Sequence, residues 1–270
     1  MKLALAIAAA VAAAACTAPA PPAAPAEAKA ALPAGTLVDL SHTYDKSTIF
    51  WPTADPFRLD VVADGVTPGG YYYAANNFFS SEHGGTHLDA PVHFSEGAQS
   101  VDQIPLDRLV GEAYVVDVTA AAEKDADYQV TVEDLARVER EQGPIPADAI
   151  LLLRTGFSRR WPDAVGYLGT AARGEEGARQ LHFPGLHPDA ARWIADNRPI
   201  RALGIDTASI DYGPSTAFET HRALYAKNIP GLENLTALER LPLRGAVVIA
   251  LPMKIGGGSG APVRAMAIVP

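Results

Sequence analysis

The run Ser81-Glu82-His83-Gly84-Gly85-Thr86-His87-Leu88-Asp89-Ala90-Pro91-Val92-His93 constrains the chain more than any other stretch. Gly84 and Gly85 weaken a helix and Pro91 breaks one, so the segment reads as extended. Side chains of an extended backbone alternate between faces. His83, His87, Asp89 and His93 all occupy odd positions, so the four groups can project to one side. A His-x₃-His-x-Asp segment with glycine slack presents two imidazoles and a carboxylate to one divalent metal. His93 lies far enough along to serve as a base or proton shuttle. The competing reading is a hydrogen-bonded cluster of loop histidines, because short motifs also match by chance.

With 270 residues, 48% of them apolar, the chain suits one large domain or two small ones with a substantial core. A formal charge of −9 argues against a nucleic-acid surface, which needs clustered cations to displace counterions. The single cysteine, Cys16, rules out an intrachain disulfide framework. Met1-Lys2 followed by the apolar run Leu3 to Ala15 is too short to span a bilayer and fits a secretory signal. It ends at Ala13-Ala14-Ala15-Cys16, which resembles a bacterial lipoprotein processing site, with alanine where a bulky residue is usual. The expectation is a signal over 1–16, lipidation at Cys16, and an exported, periplasmic, lipid-anchored protein; the alternative is an ordinary cleaved signal. Residues 17–34 are almost entirely Ala and Pro and read as an extended tether. The folded domain is expected over 35–270.

Within it, Leu37–Leu40, Phe57–Val62, Tyr114–Val118, Ala149–Leu153, Ile200–Ile205, Ala246–Leu251 and Val263–Val269 read as strands. Thr131–Gln142, with a capping-box start, His187–Asn197 and Thr216–Lys227 read as helices. Gly231–Leu241 reads as a turn and short helix. Residues 156–186 read as a long irregular insertion, a place where functional lids occur. The sum is an α/β domain with a largely mixed sheet.

The histidine stretch matches, without a gap, the pattern His-x-Gly-Thr-His-x-Asp-x-Pro-x-His, a signature of the cyclase-like metal-dependent hydrolases. That family includes bacterial kynurenine formamidase and isatin hydrolase. The resemblance runs from Asp39-Leu40-Ser41-His42 to Gly258-Ser259-Gly260-Ala261-Pro262-Val263-Arg264. Leu153-Arg154-Thr155-Gly156, the segment Gly204 to Asp211 and Ile229-Pro230-Gly231-Leu232-Glu233-Asn234-Leu235 lie between. It implies a single compact domain of the swivelling β/β/α type, usually a homodimer whose N-terminal segments complete the partner's pocket. It makes His83, His87 and Asp89 the ligands of a first metal. In the formamidase branch Asp89 bridges to a second ion held by His221 and Glu233, whereas the isatin-hydrolase branch works with a single manganese. His93 becomes the general acid or base.

The chemistry of the residues agrees. Imidazole and carboxylate donors without thiolate suit zinc or manganese, and a zinc ion brings the pKa of water toward about 7. The expected substrate is a small, aromatic N-formyl amide or lactam; the alternative is an exported metal- or ligand-binding lipoprotein without hydrolase activity. Read by themselves, Glu233 is more simply a helix-start carboxylate and His221 a helix-surface histidine; their ligand roles are what the resemblance implies. Asp206, Ser209 and Asp211 follow a buried strand, where α/β proteins build sites, but a turn held by side chain-to-backbone bonds is the more economical reading. Ser209 is retained as a substrate contact, with Phe50 and Trp51, since the family places an aromatic at Trp51. Tyr71 to Tyr73 and Phe78 would ordinarily be core. His182 and His187 read as surface residues, His42 as ordering a strand end, and the glycines at 256–260 as a strand connection.

Overall fold

Ile150–Leu153 and Val115–Val116 have no polar face, so strands built from them need apolar cover on both sides. In the computed structural model, which describes residues 34–270, they form the parallel pair β5 (Val110–Asp117) and β7 (Ile150–Arg154). The signal, Cys16 and nearly all of the 17–34 tether lie outside the described residues. Strand β9 (Ala202–Ile205) pairs in parallel with β7, and β10 (Gly231–Glu233) in parallel with β9. β4 (His87–Asp89) runs antiparallel between β10 and β12 (Gly260–Val269). β12 pairs with β11 (Arg244–Pro252), and β11 returns to β5, so this eight-stranded mixed sheet closes on itself. β1 (Thr36–Asp39) occupies the remaining edge of β12.

Period-two alternation divides the core. Ala113, Val115, Ile150, Leu152, Leu88 and Leu232 point to one side and form a single cluster to which every strand of the ring contributes. Alanines at 246, 250, 261, 265 and 267 keep β11 and β12 thin on that side, which leaves room for the larger residues facing them. Tyr114, Val116, Leu151, Leu153, Leu203 and Ile205 point the other way. There they meet α2 (Val132–Gln142), α5 (Pro188–Asn197) and α6 (Glu219–Tyr225). The remaining helices, α1 (Thr119–Ala122), α3 (Ala164–Leu168) and α4 (Gly174–Ala178), are single turns. α2 starts as its sequence indicates: Thr131 Oγ1 accepts from Asp134 N (3.3 Å) and the Asp134 carboxylate from Thr131 N (2.9 Å). This is the mixed α/β fold expected.

Three expectations need correction. Gly231–Glu233 is a strand, and the helical turn comes later, at Leu238–Arg240; Gly231 and Leu232 pair with β9, and that ladder outweighs the local turn signal. The 156–186 insertion is packed: Phe157, Tyr167, Leu168, Leu181 and Phe183 form their own buried cluster, and Gly185–Leu186 (β8) pairs with Gln129–Val130 (β6). The tyrosine run does not enter the core. It lies in the hairpin of β2 (Arg58–Val66) and β3 (Tyr72–Phe79), whose strands pair only with each other. Val61, Tyr71, Tyr72 and Phe78 are all more than half exposed there. None of the described helices is long and apolar enough to cross a membrane.

Candidate metal centre

β4 explains why the site is where it is. Leu88 turns into the ring's core, so His87 and Asp89 must turn outward. The residues opposite Asp89 are both glycine: Gly231 on β10 and Gly260 on β12. A Cβ at Gly260 would lie 2.6 Å from His83 Cε1, and one at Gly231 would lie 2.6 Å from the Tyr225 hydroxyl. The two missing side chains therefore open the space in which an imidazole and a phenol reach Asp89. Opposite His87 stands Glu233, so these two share a face as direct cross-strand neighbours.

The extended run is shorter than the odd-number spacing suggests. His83 precedes the strand, at a bend before Gly85 (φ +57°), and Pro91–His93 forms a 3₁₀ turn. Pro91 sets that turn, and it brings the His93 ring onto His83, 3.8 Å between centroids and 16° from parallel. All four groups still face one centre.

Each of three imidazoles commits its outer nitrogen. His87 Nδ1 donates to the Gly85 carbonyl (2.9 Å). Ser259 Oγ donates to Glu82 (2.6 Å), so it accepts from His83 Nε2 (2.9 Å). His221 Nδ1 donates to Asp211 Oδ2 (2.5 Å). A neutral ring that donates from one nitrogen carries a lone pair on the other. The inner nitrogens all face carboxylate oxygens. His83 Nδ1 lies 2.7 Å and His87 Nε2 3.0 Å from Asp89 Oδ1. His87 Nε2 is 3.4 Å from Glu233 Oε2, and His221 Nε2 is 3.2 Å from Glu233 Oε1 and 3.3 Å from Asp89 Oδ2. His87 Nε2 is buried and has no hydrogen bond of acceptable alignment.

Lone pairs facing carboxylates repel unless positive charge lies between them. Burial disfavours charge on His87, but hydrogen bonding and attraction from Asp89 and Glu233 overcome it and push the imidazole up to about 10. His221 is raised for the same reason, by Asp211, Asp89 and Glu233. Burial alone would raise Asp89, yet the surrounding imidazoles hold it well below the usual carboxylate range. Ligand atoms about 2.0–2.2 Å from a tetrahedral ion stand about 3.3 Å apart, close to the spacing of the inner atoms. The donors thus fit a divalent cation by spacing and by charge. Two triads lie within ligating range, His83–Asp89–His93 and His87–Asp89–Glu233, with Asp89 common to both. This grouping differs from the linear one read from spacing, because the stacked 83 and 93 rings approach Asp89 side by side.

His93 is held neutral at ordinary pH, lowered by burial to about 4. It faces a cavity of about 260 Å³ that also takes in Phe50, Trp51, Phe94, Ser209 and Phe218. The catalytic, metal-binding and substrate-contact residues expected from sequence, His83, His87, Asp89, His93, His221, Glu233, Phe50, Trp51 and Ser209, therefore border one space, whereas Cys16 lies outside the described residues. Phe50 is buried against Gly84, where any side chain would collide with its ring. Ser209 Oγ accepts from Asp211 N (3.2 Å). The other histidines stand apart: His182 pairs with Asp127, His187 Nδ1 caps α5, and His42 stacks on Trp161.

Two residues escaped the sequence reading. Asp211 was a turn candidate, but besides His221 it accepts from the backbone N–H groups of Thr220 and His221 (3.2 Å each). Tyr225 donates to Asp89 Oδ2 (3.0 Å). The signal for Tyr225 was its place one helical turn past His221, on the same face.

Residues 38–212 match the sequence profile of the Cyclase family. Isatin hydrolase of Roseibium aggregatum is 32% identical over 209 residues, covering 74% of this chain and 77% of that protein. Kynurenine formamidase of Salinibacter ruber is 32% identical over 241 residues, covering 85% and 96%. Among solved structures, isatin hydrolase A from Ralstonia solanacearum superposes with a TM-score of 0.78 at 34% identity, covering 87% of this chain and 92% of that one. With the signature stretch and its surrounding fold matched together, the chain belongs to the Cyclase family.

Proposed function

We propose that the protein is a metal-dependent hydrolase that cleaves the carbonyl–nitrogen bond of a small aromatic amide. The substrate is an N-formyl arylamide such as N-formylkynurenine or a cyclic amide such as isatin. The observation that carries this reading is the set of three imidazoles whose outer nitrogens are committed and whose inner nitrogens converge on Asp89 and Glu233. His83, His87 and Asp89 would hold one ion, and Asp89, His221 and Glu233 a second. Nitrogen and oxygen donors without thiolate suit zinc or manganese. A bound divalent ion acidifies water and polarises a carbonyl.

The chain supplies the rest. Asp211 and Tyr225 fix His221 and Asp89, and Ser259 and Gly85 fix the outer nitrogens of His83 and His87. Trp51, Phe94 and Phe218 give the cavity an apolar side suited to an aromatic ring. The new bond forms between a water oxygen and the carbonyl carbon, and the carbon–nitrogen bond breaks. His93, neutral and at the cavity, takes the water's proton and returns it to the leaving nitrogen. The hydrolase names of the relatives favour an enzyme over the non-catalytic binding lipoprotein. The test is purified protein loaded with zinc or manganese and assayed on N-formylkynurenine and isatin. Metal bound with turnover of neither favours the binding protein.

We also propose a homodimer. An isolated two-stranded hairpin is marginal in water, and β2–β3 exposes apolar residues such as Val61 and Tyr72, so a second copy is its natural cover. Light scattering of a Val61→Lys/Tyr72→Lys variant should report a monomer; an unchanged mass excludes the hairpin as interface. Export and lipidation at Cys16 rest on the signal-like sequence. Palmitate labelling that survives Cys16→Ala would refute the anchor.

A further inference from the structure

We propose that Phe218 selects aromatic over non-aromatic substrates, its ring held at the cavity by a backbone conformation that opposes its own residue type. This rests on the hydrolase reading above and adds the residue that sets its substrate range.

Phe218 stands at the N-cap of α6 with φ +49° and ψ +41°, in the left-handed region. Asn228, Asn234 and Ala237 are the other non-glycine residues with positive φ among those described. Asparagine tolerates that region and alanine is small, whereas a bulky side chain there is an outlier. Phe218 also offers no capping oxygen at a position that favours Ser, Thr, Asp or Asn. Two local preferences are broken at one residue, a pattern that concentrates at functional positions.

The neighbourhood shows what the conformation achieves. Asp211 reaches across to accept from the N–H groups of Thr220 and His221, so the start of α6 is capped without help from residue 218. Freed from capping, the Phe218 side chain lines the cavity, with its centroid 4.9 Å from Phe94, 6.3 Å from Trp51 and 6.1 Å from His221. These are separations at which aromatic rings attract one another. A ring entering the cavity meets Phe94, Phe218 and Trp51 as a wall beside the metal-binding groups. Phe94 follows His93 directly and Trp51 is held by Arg173 and Gly174, whose donors reach the backbone carbonyls of Trp51, Pro52 and Ala54. Phe218 is the member placed against its own backbone preference.

The experiment compares zinc-loaded wild type with Phe218→Gly and Phe218→Ala. Both variants delete the ring and differ in their tolerance of positive φ. At an ordinary position glycine is the less stable of the two; here Phe218→Gly should melt about 2–4 °C above Phe218→Ala. A glycine variant melting at or below the alanine variant overturns the strained placement. For selectivity, the ratio of kcat/KM on formanilide to that on N-methylformamide should fall about 10-fold in both variants, carried by KM on formanilide. An unchanged ratio overturns the proposal. If wild type turns over neither amide, the hydrolase reading is still decided by the assay on N-formylkynurenine and isatin. Calorimetric binding of formanilide then decides: about 10-fold weaker binding to Phe218→Ala upholds the selecting role, and equal binding overturns it.

Discussion

Asp211→Asn isolates the support behind the metal-binding groups, because it preserves shape and removes charge. The carboxylate accepts from His221 Nδ1 (2.5 Å), from the N–H groups of Thr220 and His221, and from Ser215 Oγ (3.1 Å). Burial works against its charge, but these bonds and the His221 ring hold it below the usual carboxylate range. An asparagine keeps one good acceptor and turns an N–H₂ group toward one of the N–H donors. Losing a charge-assisted hydrogen bond costs about 1.5–3 kcal/mol, and losing a negative charge at a helix N-terminus costs about 0.3–1 kcal/mol more. The total of about 2–4 kcal/mol corresponds to a fall in Tm of about 5–10 °C for a domain of this size. Released from Asp211, His221 should also bind metal more weakly, by about 10–100-fold. Calorimetry gives the first quantity and chelator competition with zinc the second. If Asp211 acts through His221, the double variant with His221→Ala should bind no more weakly than His221→Ala alone. Wild-type zinc affinity in Asp211→Asn, or fully additive losses in the double variant, would refute the reasoning.

Other consequences follow from the same geometry. His93→Ala should retain its metal by elemental analysis while turnover falls at least about 100-fold; near-wild-type turnover removes His93 from proton transfer. Gly260→Ala puts a Cβ 2.6 Å from His83 Cε1 and 2.8 Å from the Leu88 carbonyl. It should destabilise the protein by about 1–3 kcal/mol in urea titrations and weaken metal binding by displacing His83; an unchanged midpoint would show that the ring has room to move.

Much of the site was legible because its chemistry is local in the chain. His83, His87, Asp89 and His93 lie in one stretch whose glycines and proline exclude a helix, and period two alone separates Leu88 from its neighbours. His221 and Glu233 have no such local mark. Each is an ordinary residue of its element, and they join the centre only because β10 pairs beside β4 and α6 packs over that pair; here the family resemblance supplied what spacing could not. Asp211 was missed since hydrogen bonding to an imidazole leaves no pattern in sequence, and Tyr225 because its place one turn past His221 gains meaning only once that face of α6 is seen to meet Asp89. The tyrosines of β3 misled for the opposite reason: aromatic content suggests burial, but the pairing that leaves the β2–β3 hairpin apart from the main sheet is not written locally. The glycines at 231 and 260 became meaningful only once the register placed both opposite Asp89.

Metal content tests the central claim most directly. Wild type and Asp89→Ala, each equilibrated with zinc or manganese and dialysed against metal-free buffer, can be compared by elemental analysis. Asp89 Oδ1 faces His83 and His87 and Asp89 Oδ2 faces His221, so both proposed ligand sets depend on it. This arrangement predicts at least one ion per chain in the wild type and none retained in Asp89→Ala. A wild type that leaves dialysis without stoichiometric metal, or an Asp89→Ala variant that keeps its full complement, would contradict it.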